Sequence, residues 1–516
     1  MQKRLSWRKY HKWVGVVFAV FLTVFCVSGF ILNHRALVSS CDVNRSWLPS
    51  TYHISNYNNG VVKGTVPLGG GKVAVYGYGG VWITDREAAH WQQMNDGLPQ
   101  GADHRNVRNL VMTKNGILWC VTNYDVYRHD GHRWRVFPLD KGGERLMDIA
   151  LGGDSMQVVA LTRSDLYVIN GTQKTRAYIY NKVERCELKP ARDFRPQEYL
   201  FRTIWKLHSG ELFGMPGRLV VDAVAVVIIV LSITGVVLFL LPYRIRRRKR
   251  SGDREGMKKA GRQLVWQQRW HNRVGRYTIV LTLFLTLTGT CLRPPLMVPF
   301  VLLKTAPVNC TQNIWNDRLR ALRWDSRDHV WLVSTADGFM RVDSLFSMEP
   351  QMVEQEKSPV VSPMGVNVFR QRPDGKWLIG SFSGLSIWDE HTGRSSDYFT
   401  GQPPVKSYGV KPGQMTCGYS DDFGKPLVFD YALGVLTPWK EMPPVMERVP
   451  LSLWNLALEL HVGRCYSPLL GPLSVLFVFV WGTLSVLVLL SGYIILKRRS
   501  GRRNSSSHPT NIELIR

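Results

Sequence analysis

The sequence predicts a membrane protein of mixed α and β structure. We expect a four-transmembrane-helix bundle made of two repeated halves, with an extracytoplasmic β-propeller-like domain of about six blades formed by two large loops. Three observations predict this class. Four stretches are long and apolar enough to cross a bilayer, the residues at their ends recur in both halves of the chain, and the segments between them carry repeated strand patterns.

The apolar stretches define the organisation of the chain, because about 20 residues at roughly 1.5 Å each cross the hydrocarbon core. The four stretches are residues 13–32, 219–241, 274–292 and 473–496. The predicted parts are a cytoplasmic N-terminus with transmembrane helix 1 (1–33), an extracytoplasmic β segment (34–215), transmembrane helix 2 (216–242), a basic cytoplasmic loop (243–273), transmembrane helix 3 (274–293), a second extracytoplasmic β segment (294–467), transmembrane helix 4 (468–496) and a disordered cytoplasmic tail (497–516).

The net charge of +27 suggests nucleic acid as a partner, but the position of the charge argues against it. Thirteen Lys and Arg residues lie between Tyr243 and Arg276, five precede Trp13, and five lie between Lys497 and Arg503. All of them flank apolar runs, which is the positive-inside pattern. The partner is therefore the lipid bilayer and not nucleic acid, with both termini on the cytoplasmic side.

The first apolar stretch is predicted to be an uncleaved anchor. It is 20 residues long, against about 7 to 15 for the apolar region of a signal peptide. His34 and Arg35 would fall where a cleavage region is small and uncharged. The segment LVSSC at 37–41 is therefore not interpreted as a lipoprotein cleavage box.

The second half of the chain repeats the first. The stretch YHKWVGVVFAVFLTVFCVSG, residues 10–29, aligns without a gap with WHNRVGRYTIVLTLFLTLTG, residues 270–289. His11 then matches His271. Both stretches end in a hydroxyl residue followed by glycine.

A second histidine recurs before the second and the fourth span. The segments WKLHSGELFGMPG and LELHVGRCYSPLLGP both contain Leu-His-x-Gly, with His208 in the first and His461 in the second. Each half thus has one histidine at the cytoplasmic mouth of its first helix. Its other histidine stands at the outer mouth of its second helix.

These four histidines are candidate haem ligands. An imidazole in or beside a membrane is costly without a partner, and neutral imidazole is a common ligand of metals and haem iron. Helices related by a repeat bring equivalent positions together across a bundle. We therefore predict two haems b, with His11 and His271 on the inner iron and His208 and His461 on the outer iron. The alternative is that the histidines lie at lipid headgroup depth within an aromatic belt.

Other charged residues near the spans have secondary roles in this prediction. His34 has no counterpart in the second half and is a reserve ligand or a headgroup contact. Asp222 follows Arg218 by four residues and is expected to pair with it along one helix face. Four cations near the inner histidines are expected to pair with haem propionates or else to serve topology alone; they are Arg8, Lys12, Arg269 and Arg273.

These residues carry a resemblance to a known family. The patterns WRKYHKWVG…SG at 7–29, LHSGELFG at 207–214 and WHNRVG…TG at 270–289 resemble the PepSY-associated transmembrane family of bacterial inner-membrane proteins. Some members are ferric-siderophore reductases, in which a haem-containing four-helix bundle passes electrons from the cytoplasm to iron outside. The resemblance implies an inner-membrane location with both large loops periplasmic. The segment with His461 is its loosest match.

The two large loops contain their own repeats. LWCVTNYDVYR (118–128) aligns with VVALTRSDLYV (158–168), and VWLVSTADGFMRV (330–342) aligns with KWLIGSFSGLSIW (376–388). Short alternating apolar runs bounded by Gly, Asp and Asn are typical of strands joined by tight turns. The shifts of 40 and 46 residues are typical of a four-stranded propeller blade.

Three such units in each loop are too few to close a ring, since an open edge leaves backbone groups unpaired. We therefore predict that both loops combine into one propeller of about six blades. The alternative is two separate small β domains with covered edges. The relatives usually carry PepSY modules in this region, so the resemblance leaves the acceptor open.

The predicted function is that of a haem-containing reductase, an oxidoreductase of the transmembrane ferric reductase type. It would pass electrons to an extracytoplasmic ferric acceptor such as a ferric siderophore. The chain contains no nucleotide or flavin motif, so the donor is expected to be a separate cytoplasmic reductase or a membrane quinol. The alternative is a non-enzymatic sensor or binding protein whose propeller captures a ligand. Six of the eight cysteines fall in the outer segments, and their spacing does not indicate any pairing.

Overall fold

A computed structural model of the chain describes residues 7–174, 177–192, 194–308, 312–362, 364–404 and 411–505. The chain divides into two compact units. The helical unit comprises Met1–Ala36, Pro196–Asn309 and Trp454–Arg516, and the β unit comprises Leu37–Arg195 and Cys310–Leu453. Both large loops therefore contribute to one β unit, and the alternative of two separate β domains is wrong.

The described helices fall into long spans and short connecting turns. They are α1 (Trp7–Asn33), α2 (Arg35–Val38), α3 (Leu200–Ser209), α4 (Gly214–Arg250), α5 (Arg254–Cys291), α6 (Met297–Leu302), α7 (Pro444–Glu447), α8 (Leu453–His461), α9 (Ser467–Leu470) and α10 (Phe477–Ser505).

The four predicted spans are confirmed as helices. The segments Trp7–Asn33, Glu211–Arg250, Arg254–Cys291 and Arg464–Lys497 are each long and apolar enough to cross a membrane. Within the helical unit, α1 packs against α4 and α10, and α5 packs against the same two helices. The two halves of the repeat are therefore interleaved in one four-helix bundle.

The basic segment predicted as a loop is mostly helical. Helix α4 continues to Arg250, and α5 begins at Arg254 after a short turn. Asp253 caps the new helix, because its Oδ1 accepts a hydrogen bond of 2.8 Å from the Gly256 N–H. Lys, Arg and Gln are good helix formers, so charge alone does not interrupt a helix here.

The described part of the tail, up to Ser505, is helical as well, because it continues α10. The rest of the tail predicted as disordered, 506–516, lies outside the described residues.

The glycine of the Leu-His-x-Gly motif ends a short helix in both halves. Helix α3 is followed by Gly210 at φ 77°, and α8 is followed two residues after His461 by Gly463 at φ 79°. This left-handed conformation favours glycine. A Cβ at position 210 would also lie only 2.3 Å from the Gly217 carbonyl oxygen. The motif therefore marks a tight reversal that leads into a membrane helix.

Most strands belong to the β unit. They are β1 (Asp42–Val43), β2 (Gly64–Gly69), β3 (Lys72–Gly77), β4 (Gly80–Asp85), β5 (Trp91–Gln93), β6 (Asn109–Met112), β7 (Leu118–Val121), β8 (Val126–His129), β9 (Trp134–Phe137), β10 (Leu146–Leu151), β11 (Val158–Thr162), β12 (Leu166–Lys174), β13 (Ala177–Cys186), β14 (Glu198–Tyr199), β15 (Lys304–Thr305), β16 (Leu319–Asp325), β17 (Val330–Thr335), β18 (Phe339–Val342), β19 (Gln351–Met352), β20 (Val368–Gln371), β21 (Trp377–Ser381), β22 (Gly384–Trp388), β23 (Ser395–Asp397), β24 (Thr416–Ser420), β25 (Leu427–Asp430), β26 (Gly434–Val435) and β27 (Leu451–Ser452).

Six antiparallel sheets follow one another along the β unit. Sheet 1 is β2–β5, sheet 2 is β6–β9, sheet 3 is β10–β13, sheet 4 is β16–β19, sheet 5 is β20–β23 and sheet 6 is β24–β26. In each of them the strands are hydrogen-bonded in chain order. A two-stranded pair, β1 with β27, joins the two ends of the unit.

The repeated Thr-x-x-Asp of the sequence forms a tight turn between the second and third strands of sheets 2 and 3. The Thr122 N–H donates to the Asp125 carbonyl (3.0 Å), and the Thr162 N–H donates to the Asp165 carbonyl (2.9 Å). Each threonine hydroxyl also accepts from the backbone N–H of its aspartate. The aligned repeats are therefore equivalent hairpins.

Neighbouring sheets pack through their first strands. Strand β2 contacts β6, β6 contacts β10, β10 contacts β16, β16 contacts β20, β20 contacts β24, and β24 contacts β2. Apolar cores fill the spaces between successive sheets, and one such core joins sheet 6 to sheet 1. Trp82 and Phe429, both fully buried, belong to that last core.

Candidate functional site

The structure brings the four predicted histidines together in two pairs. The ring centroids of His11 and His271 lie 6.3 Å apart, with 68° between the ring planes. Those of His208 and His461 lie 6.1 Å apart, with 47° between the planes. Each pair takes one histidine from each half of the sequence, as the repeat predicts.

The two pairs lie near opposite ends of the bundle. His461 packs against Gly29, which follows His11 by 18 residues on α1. At 1.5 Å per residue this is about 27 Å along the helix. The same interval on α5 separates His271 from Gly289, against which His208 packs. This spacing is close to the roughly 30 Å thickness of the hydrocarbon core.

The Nδ1 atom of each inner histidine is bonded to a neighbouring helix. Nδ1 of His11 lies 3.1 Å from the Val488 carbonyl and 3.0 Å from Oγ of Ser491, both on α10. Nδ1 of His271 lies 2.8 Å from Oγ1 of Thr234 on α4. These bonds orient both rings.

The outer histidines repeat the arrangement. Nδ1 of His208 lies 3.1 Å from the Leu285 carbonyl and 3.3 Å from Oγ1 of Thr288. Nδ1 of His461 lies 3.1 Å from the Phe25 carbonyl and 3.0 Å from Oγ of Ser28. Four equivalent hydroxyl groups therefore hold four imidazoles, one on each long helix.

The hydroxyl groups select one tautomer of the rings. The hydroxyl of Ser491 donates to the Val488 carbonyl (2.7 Å), and that of Thr234 donates to the Val230 carbonyl (2.7 Å). Ser28 and Thr288 donate in the same way to carbonyls of their own helices. Their oxygens are thus left to accept, so Nδ1 of each histidine carries the proton. The neutral ring then presents the unprotonated Nε2 to a ligand.

A glycine makes room for each imidazole. A Cβ on Gly29 would lie 3.2 Å from Cε1 of His461, and one on Gly492 would lie 3.0 Å from Cε1 of His11. For Gly289 and His208 the distance is 2.7 Å, and for Gly235 and His271 it is 3.7 Å. Each glycine follows the hydroxyl residue that bonds the same ring. We call each such dipeptide, a hydroxyl residue followed by glycine that contacts one imidazole, the seat of that histidine.

Sequence reasoning found two of these four seats and missed the other two. Ser28-Gly29 and Thr288-Gly289 align in the repeat, whereas Thr234-Gly235 and Ser491-Gly492 lie in the second and fourth spans. The signal was present, because SITG and LLSG are matching breaks in otherwise apolar helices. A search of all four spans for a hydroxyl residue before glycine would have found them.

The spacing within each pair is wide enough for a haem iron between the two rings. Two metal–imidazole bonds of about 2 Å each, together with the two ring radii, place ring centroids roughly 6 Å apart. In the described part of the chain, the hydrogen bonds of these rings use Nδ1 and not Nε2. No group of three or more His, Cys, Asp or Glu is placed to hold a metal among the described residues. Each pair offers two imidazole nitrogens to a metal, and a porphyrin would supply the remaining ligands.

The cations predicted to bind propionates are exposed. Arg8, Lys12, Arg269 and Arg273 all lie on the surface of the helical unit. The Lys12 ammonium stands 4.9 Å from the ring centroid of Phe239, and the Arg273 guanidinium stands 5.7 Å from that of Trp270. Their pairing with propionates stays a prediction.

The predicted pair of Arg218 with Asp222 is wrong. Arg218 instead binds Glu211 at 3.1 Å, and Asp222 binds Nε2 of His34 at 2.6 Å. Asp222 is buried at 7% exposure inside the bundle, where His34 from α1's end reaches it across helices. Asp222 therefore pairs with His34, which helix packing brings close to it, and not with Arg218 on its own helix. His34 is therefore a partner of Asp222 in this structure, and its role as a reserve ligand stays a prediction.

Solved structures similar to this chain are distant. The extracellular domain of BT4673, described as a one component system of B. thetaiotaomicron, matches with 9% identity and a TM-score of 0.32, covering 74% of this chain and 39% of that one. The extracellular domain of the hybrid two component system BT3049 of the same organism matches with 10% identity and a TM-score of 0.32, covering 73% and 38%. This chain thus spans less than two fifths of either.

A third similar structure is the yeast Nup82-Nup159-Nup116 nucleoporin complex, with 9% identity and a TM-score of 0.25, covering 77% of this chain and 98% of that one. A comparison with curated proteins found no match. The family model of the PepSY-associated TM region, in contrast, matches residues 1–242 and again residues 239–499. The two matches coincide with the two halves of the sequence repeat. The chain is a membrane protein that belongs to the PepSY-associated TM family.

Proposed function

We propose that this protein is a haem-containing reductase that passes electrons across the bacterial inner membrane to an extracytoplasmic ferric acceptor. His11 and His271 would hold one haem b, and His208 and His461 would hold a second. A bound haem supplies one-electron chemistry, since its iron accepts and releases single electrons. The membrane orientation follows from the positive-inside pattern, with both termini cytoplasmic.

The observation that carries this proposal is the fourfold repetition of one ligand geometry. Each ring donates its Nδ1–H to a neighbouring helix and leaves Nε2 for a metal. Hydrogen bonds of this kind fix the orientation of a ligating imidazole and raise its basicity. With two protein imidazoles for each iron, a bound haem would supply electron transfer and not binding of oxygen.

The β unit would present the acceptor. We propose that its six sheets form a single six-bladed propeller, because their first strands and apolar cores contact one another in a closed cycle. The acceptor would be a ferric chelate such as a ferric siderophore, and the donor a cytoplasmic reductase or a quinol. The six-sheet arrangement itself does not assign a ligand.

A visible spectrum of the detergent-purified full chain tests the haem proposal. We expect a Soret band and sharp bands on reduction, with two haems per chain. His11→Ala and His208→Ala should each remove one haem, and the double variant should remove both. His90→Ala is the matched control, since His90 is exposed in the β unit and bonded only to Asp85 in the described structure.

Circular dichroism and gel filtration of each variant separate loss of haem from loss of fold. A folded wild-type chain that stays colourless after addition of haemin contradicts the proposal. That result favours the alternative, a sensor or binding protein whose helices only anchor it. Loss of haem in His90→Ala to the same extent would also contradict the assignment of the ligands.

A further inference from the structure

Cationic side chains stand at the same position in four consecutive sheets of the β unit, and the fourth of them, Arg318 before β16, binds Asp337. Lys63 precedes β2, Arg108 precedes β6 and Arg145 precedes β10, so each stands immediately before the first strand of its sheet. The first strands of these sheets contact one another. All three residues keep part of their surface exposed, although burial desolvates the Lys63 ammonium.

Two of these cations converge on one buried amide. Oδ1 of Asn123 accepts from Nη1 of Arg108 at 3.1 Å and from Nη2 of Arg145 at 2.9 Å. Asn123 is 4% exposed, and its Nδ2 is buried without a hydrogen-bond partner among the described residues. A buried donor without a partner destabilises the folded chain, and a ligand that accepts from it would relieve that cost. Because Oδ1 is engaged by two guanidinium groups, the amide orientation is determined and Nδ2 is the open donor.

The charges of Arg108 and Arg145 affect the protonation of Lys63. Burial, together with the charges of Arg108 and Arg145, lowers the pKa of Lys63 to about 7, against an opposing effect of Cys417. The Lys63 ammonium donates to Oδ1 of Asn106 at 2.5 Å and to the Val107 carbonyl at 3.0 Å. Each of the three cations therefore donates to at least one neutral oxygen of a neighbouring strand or turn.

Bonding between sheets does not by itself require these charges. Lys63 donates to the Val107 carbonyl, and Arg108 donates from Nε to the Met147 carbonyl at 2.7 Å. Between sheets 5 and 6 the equivalent bond is made by a neutral side chain, since Nδ2 of Asn367 donates to the Thr416 carbonyl at 2.9 Å. Asn367 also stands immediately before the first strand of its sheet. The positive charge at sheets 1 to 3 therefore goes beyond what the bond between sheets needs.

We propose that Lys63, Arg108, Arg145 and Asn123 form a binding site for a small molecule that carries an oxyanion group, either carboxylate or phosphate. Guanidinium groups bind such groups through paired N–H donors, the ammonium adds a compact charge, and the Asn123 amide supplies the open donor. The site lies wholly within the β unit. It goes beyond the proposed electron transfer and is independent of the haem pairs.

Calorimetric titration of the detergent-purified full chain with citrate and with inorganic phosphate, each against sodium chloride at equal ionic strength, tests the site. We expect saturable binding of one of the two anions at one site per chain. Stronger binding of citrate identifies a carboxylate ligand, and stronger binding of phosphate identifies a phosphate ligand. Heat that depends only on ionic strength for both anions overturns the proposal.

Substitutions at the site give the second test. Arg145→Gln and Asn123→Ala should each lower the affinity for the anion by about tenfold or more. Arg133→Gln is the matched control, because Arg133 is exposed in the same unit and should bind the anion as the wild type does. Should Arg145→Gln fail to fold, Arg145→Lys keeps the charge but removes the paired donors, and it should bind the anion more weakly than Arg133→Gln does.

Equal affinity for the anion in the site and control variants overturns the assignment. The visible spectrum should be unchanged in all of them, which separates this site from the haem proposal.

Discussion

Gly289 lies directly against the imidazole of His208, so that a Cβ at position 289 would come within 2.7 Å of Cε1. The equivalent distance from Gly235 to His271 is 3.7 Å, an ordinary van der Waals contact. Both glycines pack against one of the four histidines, but they differ in the space that they leave.

This difference predicts opposite outcomes for two identical substitutions. Gly289→Ala should displace His208 and destabilise the bundle by about 1 to 3 kcal/mol through overpacking. Gly235→Ala should be neutral or stabilising by up to about 1 kcal/mol, because alanine favours a helix over glycine. Thermal unfolding of the detergent-purified chain, followed by circular dichroism, measures both. Equal midpoints for the two variants would show that the glycine is not required for the seat of His208.

The Thr234 hydroxyl oxygen should stabilise the fold by accepting the hydrogen bond from Nδ1 of His271. Thr234→Val keeps the shape of the side chain but removes the acceptor of the His271 Nδ1–H, and should cost about 1 to 3 kcal/mol. Thr234→Ser keeps the acceptor and should behave as the wild type does. With haem bound, loss of this bond lowers ligand basicity and should raise the midpoint potential of that haem. A potentiometric titration showing the same potential in both variants would contradict the role of Thr234.

The pair of His34 and Asp222 should stabilise the bundle more than the pair of Arg218 and Glu211. The first pair is largely buried, and removing one partner of a buried pair costs about 3 kcal/mol or more. The second is about a third exposed, and such pairs contribute less than about 1 kcal/mol. Asp222→Ala should therefore lower the unfolding midpoint much more than Arg218→Ala. The reverse order would contradict the larger contribution of the buried pair.

Lys63 should make the stability of the β unit depend on pH. Its pKa of about 7 in the folded chain lies below its ordinary value of 10.5. Between these values the unfolded chain binds more protons than the folded chain, so stability should rise with pH from about 7 to about 10. Below pH 7 both states are protonated, and the full cost of the buried charge is present.

Lys63→Met should remove this part of the pH dependence. Tryptophan fluorescence during thermal unfolding follows the β unit, where Trp82 and Trp119 are fully buried. The unfolding midpoint of the wild type should rise more between pH 7 and pH 10 than that of the variant. Parallel profiles would show that Lys63 is not the group responsible.

The sequence alone determined the four spans, the two histidine pairs and the repeated hairpins. These features depend on local pattern: apolar length sets a membrane helix, and a Thr-x-x-Asp turn forms from its own backbone and side chain. The repeat also predicted which histidines would meet, since equivalent positions in two halves of a bundle face each other. The basic segment shows the limit of such patterns, because a run of Lys and Arg is compatible with either a loop or a helix.

Tertiary structure decided the partners of individual polar atoms. His34 with Asp222, Asn123 with Arg108 and Arg145, and the seats at Thr234 and Ser491 all join residues far apart in sequence. Their pairing depends on which helix faces and sheet ends are brought within about 3 Å, the distance at which a hydrogen bond forms. Sequence spacing determines which face of an element a residue occupies, but only packing determines what that face meets.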